Sequence, residues 1–252
     1  MARGDKRRLI LISNTYGLNE KREKVAFPHC GEALSEHYED RDVVWFLPYA
    51  QFKDMDGAYK QMKGIFRKLG ITLAPLHKES KPAKALEKTE GGLYISGGNT
   101  WALNHYLHEL GLVRVIRELA LDGRPAGGAS AGGNVFGPYV IGTNDWHIVK
   151  EPVPTEGLGL VPWVTNPHFV PGAIYPGHMG ETREERIAEF HDWPRNKEPV
   201  LGLEEGAWIV VKGRRSMLYG KPAHLFFQGQ PSKTEVVCHP GASLEEVIRR
   251  FK

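Results

Sequence analysis

The stretch Gly128-Ala129-Ser130-Ala131-Gly132 fits the pattern G-x-S-x-G directly after a short apolar run, the context in which that pattern forms a nucleophile elbow. A serine on a sharp strand-to-helix turn is held in a strained backbone conformation, so its neighbours must be small. All four neighbours here are Gly or Ala. The turn places Ser130 at the start of a helix, where the free NH of Ala131 faces the oxyanion formed when serine attacks a carbonyl. The chemistry is acyl transfer; the bland alternative is a glycine-rich turn with no chemistry. A phosphate cradle over Gly127 to Gly133 is disfavoured, because the stretch lacks the Lys-Ser or Lys-Thr of a P-loop and the spacing G-x-G-x-x-G.

A second turn, Ser96-Gly97-Gly98-Asn99-Thr100, ends the preceding apolar run. In an open parallel sheet the carboxyl ends of neighbouring strands converge on one crevice, so this turn and Ser130 face one substrate. Gly98 would then supply a second oxyanion NH, and Asn99 would meet the substrate. Taken alone, the turn reads as a plain helix start.

Serine needs a base, and the chain has 11 histidines. His105 and His108 fall on a predicted helix facing away from the strand ends, and His29, His37 and His77 have no catalytic setting. His168 lies in Asn166-Pro167-His168-Phe169, where proline stiffens a loop and can fix an imidazole. Two carboxylates could orient that ring: Asp145 in Thr143-Asn144-Asp145, and Glu205 in Glu204-Glu205-Gly206. Asp145 reads equally as an Asx-turn residue, and Glu205 as a solvated turn residue. Glu205 is favoured, since it follows a strand and precedes a glycine, whereas Asp145 lies in an irregular stretch and could instead brace the loop or pair with a substrate ammonium group. Arg183 is a candidate substrate anchor. Thr182 and Glu185 mark a helix start, and a cation in that first turn opposes the helix dipole unless it serves an anion. A guanidinium suits a carboxylate in particular.

These residues need a scaffold. Apolar runs at Leu9–Ile12, Val43–Leu47, Ile71–Leu73, Leu93–Ile95 and up to Ala126 alternate with helical patterns, the rhythm of a parallel sheet covered on both faces. Met55, Tyr59, Met62, Phe66 and Leu69 form one helical face; Leu103, Leu107 and Leu110, then Val113, Ile116 and Ala120, form the next. Six prolines break residues 150–180 into predicted loops, and long loops in a compact domain usually carry function. Beyond them come a helix at Thr182–Glu189 and strands at Val200–Leu203, Ala207–Val211, Met217–Tyr219 and Leu225–Phe227. A last helix is capped by Ser243 and Glu246 and presents Leu244, Val247, Ile248 and Phe251. The expectation is an α/β protein, one domain over residues 1–252, with a three-layer, doubly wound, mostly parallel sheet.

The formal net charge of +3, from 33 basic and 30 acidic side chains, provides no field that would draw nucleic acid or a membrane surface, so the expected partner is small. Two cysteines without metal-ligand spacing suit a reducing compartment, and no run approaches the ~20 apolar residues of a membrane helix, so a cytoplasmic location is expected.

Several stretches together resemble dipeptidase E, a family of small serine peptidases related to the cyanophycin peptidases. They are Ser96–Thr100, Ser130–Val135, Thr143–Asp145, Asn166–Phe169, Gly177-His178 with Gly180–Glu184, and Gly202–Gly206 before Trp208. The resemblance implies a fold like that of class I glutamine amidotransferases, with serine replacing the nucleophilic cysteine, and removal of N-terminal aspartate from dipeptides without a metal or other cofactor. It implies Ser130 as nucleophile, His168 as base and Gly98 with Ala131 as oxyanion donors. Family members use an Asp or a Glu as third member, corresponding to Asp145 and Glu205. The chain departs from the pattern at Ala129, where the family often has tryptophan, and in single-residue insertions on both sides of His168. Alternatives are a cyanophycin-type peptidase with the same elbow, and a catalytically silent cleft that senses small acidic ligands. Intact Ser130 and His168 speak against silence.

Overall fold

A computed structural model of the chain describes residues 5–172, 175, 177, 179–229 and 236–250. His178 and Phe251 of the stretches above lie outside the described residues. The first half supplies β1 (Arg8–Ile12), a hairpin of β2 (Tyr16–Leu18) and β3 (Lys24–Ala26), then β4 (Val44–Leu47), β5 (Leu73–Pro75), β6 (Gly92–Ile95) and β7 (Ala126–Ala129). Helices α1 (Gly31–Tyr38), α2 (Met55–Lys68), α3 (Pro82–Glu87), α4 (Thr100–Glu109) and α5 (Leu112–Leu121) connect them, and the short α6 (Ala131–Asn134) follows β7. The second half supplies β8 (Val164–Phe169), α7 (Arg183–Asp192), β9 (Val200–Glu204), β10 (Trp208–Lys212), β11 (Arg215–Tyr219), β12 (Ala223–Phe226), β13 (Val236–Cys238) and α8 (Leu244–Arg250).

The central sheet runs β11-β10-β1-β7-β6-β4-β5. Its last five strands are mutually parallel, and β10 and β11 join as an antiparallel edge. Because side chains alternate along a strand, β1 feeds two cores at once. Leu9 and Leu11 pack with Leu103, Leu107 and Ile116 of α4 and α5; Ile10 and Ile12 pack with Leu34 of α1 and Phe66 of α2. This is the expected three-layer arrangement. Asp54 starts α2 by accepting the Gly57 NH at 2.8 Å, and the helix seals one core with Met62 and Phe66. Full burial of Phe66 alone is worth roughly 2–3 kcal/mol. The periodic run from Leu103 to Ala120 divides into two helices at Gly111, whose φ of 64° is left-handed.

A second sheet, β13-β12-β9-β8, stands apart from the first. Here the structure departs from the loop predicted around residues 150–180, because Asn166-Pro167-His168-Phe169 lies in β8. Proline has no NH to give a sheet, but β8 is an edge strand bonded only to β9, so Pro167 is tolerated. Ser13, just past β1 and fully buried, ties the two sheets: its Oγ donates to the Leu203 carbonyl at 2.8 Å and accepts the His168 NH at 3.0 Å.

Candidate active site

Ser130 joins β7 to α6 with φ 55° and ψ −119°, a region that side chains other than glycine rarely occupy. Its NH donates to the Ile12 carbonyl at 2.9 Å. The small neighbours have a steric reason: a Cβ on Gly132 would run into the Ile95 carbonyl. The Gly97-Gly98 turn comes right up to the serine, so that a Cβ on Gly97 would lie 3.7 Å from Ser130 Oγ. Gly98 itself has φ 142°, and a Cβ there would strike the Ala50 carbonyl. Among the described residues neither the Gly98 NH nor the Ala131 NH has a hydrogen-bond partner, the latter because it opens a helix.

His168 reaches Ser130 through a bulge. The pairing of β8 with β9 shifts between Pro167 and Phe169, and His168 has φ 54°. Phe169 is buried over Gly202, with its ring 4.6 Å from that of His224, which anchors the strand beyond the bulge. His168 Nε2 stands 2.9 Å from Ser130 Oγ, and Nδ1 stands 2.7 Å from Glu205 Oε1. A carboxylate can only accept, so Nδ1 carries the proton and Nε2 is left to accept from the serine hydroxyl. Glu205 occupies the turn between β9 and β10. Gly206, with φ 89°, donates its NH to Asn14 Oδ1 at 2.7 Å, and Glu204 accepts from the nearly buried His224 Nε2 at 2.7 Å.

Asp145 lies elsewhere. Its Oδ2 accepts from the Thr100 NH at 2.7 Å and from Thr100 Oγ1 at 2.6 Å, so it sits at the N-terminus of α4. Asn144 next to it donates to the Pro167 carbonyl at 3.2 Å, so the segment braces β8 without contacting the imidazole. Asn99 uses its amide at both ends, accepting the Ala102 NH at 3.0 Å and donating to the Trp146 carbonyl at 3.0 Å. Arg183 is the first residue of α7, whose capping box between Thr182 and Glu185 is formed as the sequence predicts. It is half-buried and forms no hydrogen bond or ion pair among the described residues, and its Nε is buried without a partner. Burial and neighbouring Arg186 push its pKa below the ordinary guanidinium value, while Asp145 pulls it back up. An anion would offset the first two. The residues the sequence left unmarked are Ser13 and Asn14, which hold His168 and Gly206; their signal is a polar pair at the carboxyl end of an apolar strand.

A serine held in a strained turn, bonded through an imidazole to a carboxylate at the carboxyl edge of a parallel sheet, defines an α/β serine hydrolase. More particularly, the chain belongs to peptidase family S51, whose model matches residues 9–219. It is 37% identical over 204 residues to a Streptomyces coelicolor protein named Peptidase E, with 81% of each chain covered. Over 202 residues it is 35% identical to a Drosophila melanogaster protein named as a probable alpha-aspartyl dipeptidase, covering 79% of this chain and 82% of that one. The fold matches the crystal structure of a peptidase from an acI-B1 Actinobacterium with a TM-score of 0.65 at 20% identity, over 95% of this chain and 97% of that one. No helix among the described residues is long and apolar enough to cross a membrane.

Proposed function

We propose that the protein is a serine dipeptidase that removes aspartate from the N-terminus of small acidic peptides through an acyl-enzyme. The observation that carries this is the unbroken hydrogen-bonded line from Ser130 Oγ through His168 to Glu205; the relatives named above supply the substrate class. Ser130 attacks the carbonyl while His168 takes its proton. The oxyanion is held by the NH groups of Gly98 and Ala131. His168 then returns the proton to the leaving amine, and water releases the acyl group by the same path. Ser130 on its tight turn is the nucleophile elbow of this scheme, and two buried free thiols, Cys30 and Cys238, suit the cytoplasm. The test is a panel of Asp-Leu, Leu-Leu, acetylated Asp-Leu and cyanophycin. Cleavage of Asp-Leu alone is expected; equal cleavage of Leu-Leu, or cleavage of cyanophycin alone, would replace this reading.

In this scheme Arg183 reads the acidic side chain. Its substitution by alanine is expected to lower kcat/KM on Asp-Leu by about 10–100-fold, the worth of a charge-assisted hydrogen-bonded contact, and to change Asn-Leu by only a few fold. Equal losses on the two peptides would make Arg183 structural. Lysine is expected to rescue poorly, because it lacks the planar two-point contact.

A further inference from the structure

A cleft of ≈ 780 Å³ opens at Ser130, and His168, Glu205 and Gly98 also line it. Neither Arg183 nor Asp145 does. A peptide attacked at Ser130 has an acyl residue on one side of the scissile bond and a leaving residue on the other. With Arg183 outside the cleft and His168, which hands the serine's proton on to the leaving amine, at its wall, the cleft lies where the leaving amine must go.

Its chemistry is specific. Phe46, Met62 and Tyr94, all buried in one of the two cores, give it an apolar wall. The hairpin of β2 and β3 contributes Tyr16 and Lys24 to its lining. Three side chains of fixed charge line the cleft. Asp54 is committed to the Gly57 NH at the start of α2, and Glu205 is committed to His168. Lys24 remains: its Nζ rests 5.1 Å from the centre of the Tyr16 ring and pairs with no carboxylate among the described residues. A second polar group in the wall is also idle. Ser96 is 5% exposed, and its Oγ has no hydrogen-bond partner among the described residues. A buried hydroxyl left unbonded costs free energy that a bound ligand can recover.

We propose that this cleft is the leaving-residue subsite and that Lys24 binds the free α-carboxylate of the leaving residue. The side chain of that residue lies on the apolar wall, and the Ser96 hydroxyl bonds a main-chain polar group of the peptide. The proposal rests on the reading of Ser130 as nucleophile and narrows its substrates to dipeptides with a free carboxyl end and an apolar second residue. A dipeptide carries its α-carboxylate on the residue beyond the scissile bond, and amidation removes that one charge without changing the rest.

The test compares Asp-Leu with Asp-Leu amide on the wild-type protein, Lys24→Gln and Lys24→Arg. The wild type is expected to prefer the free acid by about tenfold or more in kcat/KM, as one charge-assisted contact provides. Lys24→Gln should lose about tenfold on the acid, chiefly through KM, and should be unchanged on the amide; Lys24→Arg should keep most of the preference. Lys24 is exposed on a short hairpin, and the amide serves as an internal control for folding. Equal losses on both peptides, or no loss on either, would overturn the assignment of Lys24. If the wild type cleaves neither peptide, the dipeptidase reading fails and takes this one with it, an outcome distinct from a wild type that cleaves both equally.

Discussion

Replacement of Ser130 by alanine is expected to lower turnover of Asp-Leu by a factor on the order of a million, since a serine and a histidine that act as one unit lose nearly all covalent catalysis when either is removed. The fold should survive. Alanine keeps the Cβ and loses only the contact between Oγ and His168 Nε2, while the Ser130 NH still donates to the Ile12 carbonyl. A glycine variant separates chemistry from strain. At φ 55° and ψ −119° any side chain at position 130 holds a conformation that costs of order 1–3 kcal/mol and that glycine adopts freely. Ser130→Gly is therefore expected to be as inactive as Ser130→Ala but more resistant to urea. Chemical denaturation of the three proteins beside their turnover rates checks both halves. A folded Ser130→Ala protein with near-normal turnover would remove Ser130 from the mechanism. A glycine variant less stable than the alanine variant would show that the turn stores no strain at that position.

How much of this could be read in advance depended on how local the cause was. Ser130 is legible because its turn is built from five consecutive residues, and the need for small neighbours is steric and immediate. The helices α2, α4 and α5 are legible because a 3.6-residue apolar period is also local, and β1 is legible as an unbroken apolar run because it is buried on both faces. His168 could be singled out, but its setting could not. Proline at 167 reads as a loop until one knows that β8 is an edge strand, a property of the whole sheet, and the bulge that turns the ring toward Ser130 is visible only in the register of two strands.

The supports of the site were hidden for the same reason. Ser13 grips residues 190 and 155 positions away, and Asn14 grips Gly206 at a separation of 192. A serine and an asparagine after a strand are ordinary until those partners arrive. Asp145 shows the converse case. Its short motif suggests a catalytic carboxylate and equally a turn, and only the position of Thr100 tells which backbone group it serves.

The two carboxylates are expected to part widely under the same conservative change. Glutamine at 205 keeps the size of the side chain but can present an NH₂ to His168 Nδ1, at the site where the carboxylate now accepts at 2.7 Å. The imidazole then carries its proton on Nε2, facing a serine hydroxyl that it can no longer deprotonate. Turnover on Asp-Leu should fall by about ten-thousandfold, judging from serine proteases with the equivalent change, and KM should move little. Asparagine at 145 does something different. The side-chain oxygen can still accept from the Thr100 NH, so what disappears is a negative charge at the start of α4 and opposite Arg183. The expected cost is about 1 kcal/mol of stability or less, with turnover within about tenfold of the wild type. The effect on binding should appear in KM, because Arg183 would face the substrate carboxylate without Asp145 competing for it. Measuring kcat and KM for Glu205→Gln and Asp145→Asn side by side decides the matter. A turnover-only collapse in Asp145→Asn, with Glu205→Gln near normal, would require the imidazole to swing away from Glu205 during the reaction, and the carboxylate bonded to it at rest would not be the one that orients it at work.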